Sequence, residues 1–131
     1  MVIVDTSVWI EVLRGAGSRG RLESAIAGED PCLSRFSQME LLMGAVREDQ
    51  WRRLERYLDG QRYIEGDRDT WRRAARTFFD LRRAGKTVRS AIDCCIAETA
   101  IAHEALLLHR DRDFSVIATV RPLRERWFDL S

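Results

Sequence analysis

The chain has 131 residues, of which 45% are hydrophobic and 33% are charged, and its formal net charge is +1. This length and composition are typical of one globular domain with its own core, so we expect a single domain over residues 1–131. The balanced charge gives no overall electrostatic argument for nucleic-acid binding. Lys86 is the only lysine among the 22 basic residues, and this arginine bias indicates either a GC-rich genome or a surface that binds phosphate.

The sequence lacks the features of secreted and membrane proteins. No stretch approaches the roughly 18 apolar residues of a membrane helix. Three charged residues interrupt the N-terminal segment where a signal peptide needs an apolar run, namely Asp5, Glu11 and Arg14. The three cysteines follow neither a disulfide framework nor a zinc-binding spacing. We therefore expect a cytoplasmic protein whose cysteines are reduced.

Short strands and amphipathic helices alternate in the first half of the chain. Strands are predicted where β-branched or aliphatic residues form short runs, and helices where apolar residues recur three and four positions apart. The predicted elements are a strand at 2–4, a helix at 7–14, a short helix at 20–27, a strand at 31–34, a helix that opens at Ser37, a helix at 49–58 and an edge strand at 62–65.

The second half continues the alternation. Its predicted elements are a helix that begins within 67–70 and stops at Gly85, a helix capped by Ser90 that reaches residue 102, a buried strand at 105–108, a loop at 109–114 and a last strand at 116–120. Because strands alternate with helices throughout, the sequence predicts an α/β fold with a mostly parallel sheet.

Four acidic residues stand where predicted strands end or predicted helices begin. Asp5 and Asp111 follow apolar strands, whereas Glu40 and Asp93 lie in the first turns of helices. Asp5 can belong to a helix cap, and Asp93 can complement a helix dipole. Glu40 can form a capping box with Ser37. In a parallel sheet, however, strand ends and adjoining helix N-termini converge on one edge, so the four carboxylates are expected to face a common pocket.

Such a pocket implies a bound cation. Carboxylates a few ångströms apart raise one another's pKa and oppose folding unless a positive charge balances them. Ligands that are all hard oxygens, without histidine or cysteine, favour Mg²⁺ or Mn²⁺ over Zn²⁺. A water held between such carboxylates and a phosphate can act as the nucleophile in phosphodiester hydrolysis.

Four segments around these acids carry a family resemblance. They are Val2-Ile3-Val4-Asp5-Thr6-Ser7-Val8-Trp9-Ile10, Met39-Glu40-Leu41-Leu42-Met43-Gly44, Ile92-Asp93-Cys94-Cys95-Ile96-Ala97 and Leu107-Leu108-His109-Arg110-Asp111-Arg112-Asp113-Phe114. With these segments in this order and at these separations, essentially the whole chain resembles the PIN domain and, within it, the VapC-type toxins of bacterial toxin-antitoxin pairs. The resemblance implies a three-layer α/β/α fold in which helices surround the sheet.

The resemblance also implies metal-dependent endoribonuclease activity with Mg²⁺, or alternatively Mn²⁺, as the cofactor. The catalytic residues and metal ligands that it implies are Asp5, Glu40, Asp93 and Asp111. It places the hydroxyl of Thr6 or Ser7 near the metal. The expected substrate class is structured RNA, either transfer RNA or a ribosomal RNA loop, because RNA loops can be read and cut specifically.

Two residues near the fourth acid leave alternatives open. His109 stands where many family members carry Thr or Ser, so it either orients substrate phosphate or is simply exposed. Asp113 lies two residues beyond Asp111 and competes for the role of fourth acid. Alternation along the chain points both side chains the same way, and the family pattern favours Asp111.

The resemblance further implies two kinds of protein partner. Family members form homodimers, and a small antitoxin holds them inactive by laying its C-terminal segment over the acidic site. Apolar surface for this contact is expected from Trp9, Leu13 and Trp51. Core packing is the alternative for each tryptophan, and it is expected for at least two of the four.

Two other functions fit parts of the pattern. A PIN-like module that binds RNA or protein without cutting would be favoured if one of the acids were missing, and none is missing. A phosphatase of the haloacid dehalogenase kind needs a second aspartate two residues after Asp5, where this chain has Ser7. The sequence therefore favours the metal-dependent endoribonuclease.

Overall fold

The computed structural model describes residues 1–130, which contain four strands and seven helices. The strands are β1 (Val2–Val4), β2 (Pro31–Cys32), β3 (Leu106–His109) and β4 (Glu125–Trp127). The helices are α1 (Thr6–Arg14), α2 (Ala16–Ala25), α3 (Arg35–Met43), α4 (Glu48–Asp59), α5 (Thr70–Arg83), α6 (Ala91–Ala102) and α7 (Arg112–Ile117). None of the helices within these residues has the length and apolar character needed to cross a membrane.

The four strands form one parallel sheet in the order β2-β1-β3-β4. In its centre Val4 of β1 pairs with Leu108 of β3, and further along β3 His109 pairs with Trp127 of β4. Because the strands are parallel, all their C-terminal ends lie at one edge of the sheet. The predicted α/β fold with a parallel sheet is confirmed.

Helices cover both faces of this sheet. Ile3 and Leu107 belong to a core that also contains side chains of α5, α6 and α7. Val2, Val4 and Leu108 belong to a second core that contains side chains of α1 to α4. Strand residues alternate between the two cores because successive side chains of a strand point to opposite faces. The expected three-layer α/β/α arrangement is therefore confirmed.

The predicted last strand at 116–120 is wrong. Residues up to Ile117 belong to α7, and the fourth strand is Glu125–Trp127, in the tail of the chain. Phe114 and Ile117 are both fully buried, and their spacing of three is helical. A short apolar run does not by itself distinguish a buried strand from a buried helix, which explains the error. The predicted edge strand at 62–65 is reduced to one parallel bridge between Leu33 and Tyr63.

The predicted N-terminus of α3, and with it the capping box of Glu40, is also wrong. The helix begins at Arg35, and Ser34 is its N-cap, with the Ser34 hydroxyl accepting from the Ser37 backbone N–H at 3.2 Å. Glu40 is consequently the sixth residue of the helix, beyond its first turn. The serine three residues upstream of the predicted cap is an equally good capping residue, and the sequence does not distinguish the two.

The tryptophans are more exposed than expected. Trp9 is buried against the sheet, but Trp51, Trp71 and Trp127 are 38%, 59% and 43% exposed. The expectation that at least two of the four lie in the core is therefore wrong. Trp9 also drops out of the predicted partner surface, because a buried side chain cannot present itself to another protein.

A buried carboxylate holds together α5 and α6, the helix that carries Asp93. Glu98 of α6 is 4% exposed, and the Thr77 hydroxyl donates to its Oε1 at 2.8 Å. The guanidinium groups of Arg121 and Arg73 lie 3.6 and 3.8 Å from its oxygens. A buried charge needs such partners, because desolvation without them costs several kcal/mol.

Replacement of Arg121 by alanine is therefore expected to lower the free energy of unfolding by about 3 kcal/mol, because Glu98 would keep only part of its charge compensation. The measurement is urea unfolding followed by circular dichroism. Arg68→Ala is the control, since Arg68 is exposed and a surface substitution of this kind changes stability by about 0.5 kcal/mol or less. Equal effects of the two substitutions would contradict the assigned role of Arg121.

Candidate metal and active site

Asp5 lies at the C-terminal end of β1 and begins α1. Its side chain is buried, and its Oδ2 accepts from the Ser7 backbone N–H at 3.1 Å and from the Ser7 hydroxyl at 2.6 Å. Asp5 is thus the N-cap of α1. Capping uses one carboxylate oxygen and leaves the other for a ligand. Asp5 can therefore be both a helix cap and a metal ligand.

Ser7 connects Asp5 to the end of the neighbouring strand. Its hydroxyl donates to Asp5 and accepts from the backbone N–H of Arg110 at 2.9 Å. The Asp5 backbone N–H in turn donates to the carbonyl of Leu108 at 3.0 Å. The ends of β1 and β3 are therefore held in fixed relation, and with them the acids that follow each strand.

Glu40 approaches the same region from α3. The Thr6 hydroxyl donates to Glu40 Oε1 at 3.0 Å and lies 2.8 Å from the hydroxyl oxygen of Ser37. Thr6 thus contacts one acid and Ser7 contacts another, as the family resemblance implied for one or other of these hydroxyls. Much of the Glu40 side chain is exposed, but its carboxylate is close enough to Asp5 and Asp111 for their charges to raise its pKa.

Asp93, Asp111 and Asp113 form the tightest acidic group. One carboxylate oxygen from each lies within 4.8 Å of the others. Asp93 is in the first turn of α6, and Asp111 is the N-cap of α7, where its Oδ1 accepts from the Asp113 backbone N–H at 3.0 Å. The structure places both Asp111 and Asp113 in the group, around a helix N-terminus rather than along an extended chain.

The electrostatics connect this group to Asp5 and Glu40. Partial burial, together with the nearby charges of Asp111, Asp5, Asp113 and Glu40, raises the pKa of Asp93 to about 7. Burial also raises the pKa of Asp5, opposed by its hydrogen bonds with Ser7, and Asp111 adds to the increase. The pKa of Glu40 is raised by partial burial and by Asp5 and Asp111, against the hydrogen bond from Thr6. All four predicted acids therefore lie within electrostatic reach of one another.

Arg89 supplies a positive charge to this cluster and was not anticipated from the sequence. Its guanidinium donates to Asp111 Oδ1 at 3.1 Å and to Asp113 Oδ2 at 3.4 Å, and its backbone N–H donates to the same Asp113 oxygen at 2.9 Å. The side chain is 78% exposed. An arginine one residue before a helix cap is not a recognisable signal among the 20 other arginines of the chain.

His109 has neither of the roles considered for it. The ring is fully buried, so the expectation of simple exposure is wrong. Its Nδ1 accepts from the Asp111 backbone N–H at 3.1 Å, and its Nε2 lies 2.8 Å from Glu125 Oε1. Both ring nitrogens are therefore bonded within the protein, and neither is left for a substrate phosphate.

The donor set fits a hard divalent cation. The five acids offer only carboxylate oxygens, and the raised pKa values of Asp5, Glu40 and Asp93 indicate that the protein alone compensates the charges of these three incompletely. Mg²⁺ and Mn²⁺ prefer such ligands, whereas zinc sites normally include histidine or cysteine. The acids in the best position to share one ion are Asp93, Asp111 and Asp113, with Asp5 and Glu40 beside them.

Comparison with known proteins agrees with this fold. Residues 2–120 match the family described as PIN domain. The chain is 38% identical to Ribonuclease VapC11 of Mycobacterium tuberculosis over 133 aligned positions, which cover 98% of this chain and 99% of the relative. It is equally similar, over the same shares of both chains, to VapC ribonuclease Mb1587 of Mycobacterium bovis.

Solved structures show the same fold. VapBC2 from Rickettsia felis, bound to a DNA fragment from its promoter, superposes with a TM-score of 0.78 at 18% identity and covers 98% of this chain and 100% of that one. VapBC-1 from nontypeable Haemophilus influenzae gives a TM-score of 0.76 at 18% identity and covers 98% of both chains. The family match and the VapC relatives each span nearly the whole chain. The chain therefore belongs to the PIN-domain family and, within that family, to the VapC group.

Proposed function

We propose that this protein is a Mg²⁺-dependent endoribonuclease that acts as the toxin of a VapBC-type toxin-antitoxin pair and cleaves structured RNA. The observation that carries the proposal is the acidic group of Asp93, Asp111 and Asp113, with Asp5 and Glu40 beside it, at the C-terminal edge of the sheet. The named ribonuclease activity of the VapC relatives supports the reaction class.

The five acids would hold the cation, which when bound supplies charge for the transition state of phosphodiester hydrolysis and a more acidic water. The protein's own contribution is positioning. Ser7 orients the Asp5 carboxylate, Thr6 orients that of Glu40, and the caps of α6 and α7 fix the remaining acids. Positioned groups of this kind lower the barrier because no reorganisation is needed during the reaction.

The proposal is tested with purified protein, total bacterial RNA and Mg²⁺. We expect the parent chain to cut RNA at discrete sites and Asp5→Asn to reduce the rate by at least about 100-fold, because even residues that only support metal ligands typically contribute 10- to 100-fold. If Asp5→Asn cut as fast as the parent, the assignment of the metal site would be wrong. If calorimetry found no binding at millimolar Mg²⁺, the alternative of a non-catalytic RNA- or protein-binding module would replace the proposal.

A groove with a partly apolar lining is a candidate surface for the proposed antitoxin. This groove of about 630 Å³ lies between α1, α3 and α4, and its apolar lining includes Ile10, Leu13, Leu41, Leu54 and Tyr57. The solved VapBC structures support an antitoxin as a partner, and the family resemblance is the basis for proposing a homodimer. Co-expression with a neighbouring short reading frame should give a complex and relieve growth arrest, and failure of both would count against the toxin role.

Arg89 is expected to compete with the cation for Asp111 and Asp113. Replacement by glutamine, Arg89→Gln, should raise the Mg²⁺ affinity by about 3- to 10-fold, because a unit charge a few ångströms from the ion repels it even through water. Isothermal titration calorimetry measures the change. Arg112→Gln is the matched control, since Arg112 lies between the two acids in sequence but is exposed on α7. Equal increases in both variants would indicate a general charge effect rather than competition at Asp111 and Asp113.

A further inference from the structure

We propose that His109 is a positioning residue that sets the place of the Asp111 carboxylate in the metal site, an inference that rests on the proposed function. The His109 ring is at 0% exposure and packs against two aromatic rings. Its centroid is 5.2 Å from that of Phe114 and 5.9 Å from that of Trp127. Full burial, these two neighbours and a contact at each ring nitrogen restrict the orientation of the ring.

The hydrogen bonds decide which ring nitrogen carries the hydrogen. The Asp111 backbone N–H donates to Nδ1, so Nδ1 must offer a lone pair. Nε2 faces a carboxylate oxygen of Glu125, which accepts, so Nε2 carries the hydrogen. A second hydrogen on Nδ1 would point at the Asp111 N–H. The tautomer that these two contacts favour therefore carries its hydrogen on Nε2, facing Glu125.

Glu125 is itself held in place by a hydrogen bond, so its contact with Nε2 fixes the position of the His109 ring. The Ser115 hydroxyl of α7 donates to the same Glu125 oxygen at 2.9 Å. The His109 carbonyl accepts from the Phe128 backbone N–H at 2.7 Å, just beyond β4. The histidine thus connects β3, β4 and α7 at the edge of the sheet where the acids gather.

The support acts on the acids through the Asp111 backbone. Asp111 has extended backbone angles, φ −133° and ψ 119°, and it joins the end of β3 to α7. Its backbone N–H is bonded to His109, while its carboxylate caps α7 by accepting from Asp113. Loss of the Nδ1 acceptor would release the backbone from which Asp111 and Asp113 both project. His109 would then affect metal binding without contacting metal or substrate.

Two substitutions at His109 test the roles of its two ring nitrogens separately. In His109→Asn the side-chain oxygen can take the place of Nδ1 and accept from Asp111, but nothing reaches Glu125. In His109→Gln the amide can reach Glu125, but the acceptor near Asp111 is lost. We expect Mg²⁺ affinity, measured by calorimetry, to stay within about 3-fold of the parent in His109→Asn and to fall by about 10-fold or more in His109→Gln.

If His109 only stabilised the fold, the Mg²⁺ affinities of the two variants would follow their melting temperatures. Asparagine is smaller than glutamine and leaves more empty space beside Phe114, so the melting temperature should fall at least as far in His109→Asn as in His109→Gln. Metal affinity that followed the melting temperatures, or that was unchanged in His109→Gln, would overturn the proposal. His103→Gln, at an exposed histidine in the C-cap of α6, is the control and should leave the affinity unchanged.

A measurement on the parent protein avoids the risk that a variant fails to fold. In a two-bond ¹H–¹⁵N correlation spectrum, with His103→Gln used for assignment, His109 should show hydrogen on Nε2 and an unprotonated Nδ1. Its Nδ1 resonance should move on titration with Mg²⁺. Hydrogen on Nδ1, or no movement at saturating Mg²⁺, would overturn the proposal. If the parent bound no Mg²⁺ at all, the proposed function itself would fail, which is a distinguishable result.

Discussion

Replacement of Asp93 by asparagine is expected to abolish RNA cleavage and, in buffer without divalent ions at pH 8, to make the protein more stable than the parent. The first effect follows from the loss of a carboxylate in the tightest acidic group. We expect the cleavage rate to fall by at least about 100-fold, as for a residue that holds the catalytic ion. The second effect follows from the unfavourable ionisation of Asp93 in the folded chain.

The sign of the stability change comes from the shifted pKa. Burial and the neighbouring acids raise the pKa of Asp93 from 3.8 to about 7, so the folded protein holds this proton more tightly than the unfolded chain. The unfolding free energy therefore decreases as the pH rises from about 4 to about 7 and stays low above it. At about 1.4 kcal/mol per pKa unit, ionised Asp93 costs the fold on the order of 4 kcal/mol.

Urea unfolding in EDTA between pH 5 and pH 8 measures this effect. The parent should lose stability across the range, Asp93→Asn should lose less, and Mg²⁺ should stabilise only the parent. Asp59→Asn makes the same chemical change at an exposed residue and should change neither cleavage nor the pH dependence. An Asp93→Asn protein that cut RNA normally, or that was no more stable than the parent at pH 8, would contradict the assignment.

Replacement of Phe114 by alanine is expected to lower the free energy of unfolding by about 3 to 5 kcal/mol, the usual cost of emptying a fully buried phenylalanine site. Phe114 is at 0% exposure in the core between the sheet and α5 to α7, and its ring packs against His109. Because the ring supports His109, whose Nδ1 accepts from the Asp111 backbone N–H at 3.1 Å, loss of the ring should loosen the junction that carries Asp111 and Asp113.

Thermal and urea unfolding test this prediction, with Phe79→Ala as the matched control. Phe79 of α5 is 38% exposed and lies beneath the guanidinium groups of Arg76 and Arg83. Its loss should cost about 1 kcal/mol or less, since it removes surface contacts alone. Mg²⁺ affinity should also fall in Phe114→Ala and remain unchanged in Phe79→Ala. Similar losses of stability in the two variants would show that Phe114 has no special place in the core.

The elements that the sequence predicted well are those with a strong local signal. The β-branched run at 2–4, the cap at Ser90 and the stop near Gly60 each have one local explanation, and β1, α6 and α4 begin or end there. The errors occurred where two local explanations compete. Ser34 and Ser37 are equally good caps for α3, and the apolar residues before Val120 suit either a buried strand or α7.

The same distinction applies to the site. Strand ends and one helix N-terminus were enough to predict that Asp5, Asp93 and Asp111 lie close together, since parallel topology brings such positions to one edge of a sheet. Glu40 is near them although its predicted place in the first turn of α3 was wrong. Their roles as metal ligands remain predictions. Arg89 and the hydrogen bonds of His109 could not be identified in this way, because each depends on contacts between segments separated along the chain.

The N-terminal segment illustrates both contributions. Its sequence alone determined that a buried strand is followed by an acid and a helix. The reason is that β propensity, a capping residue and helical periodicity are all local properties. The tertiary structure alone decided that Asp5, which caps α1, also lies within electrostatic reach of Asp111, because that proximity depends on β1 pairing with β3. Tertiary pairing also buried His109 and Trp9, since burial depends on which neighbours cover a side chain and not on its own chemistry.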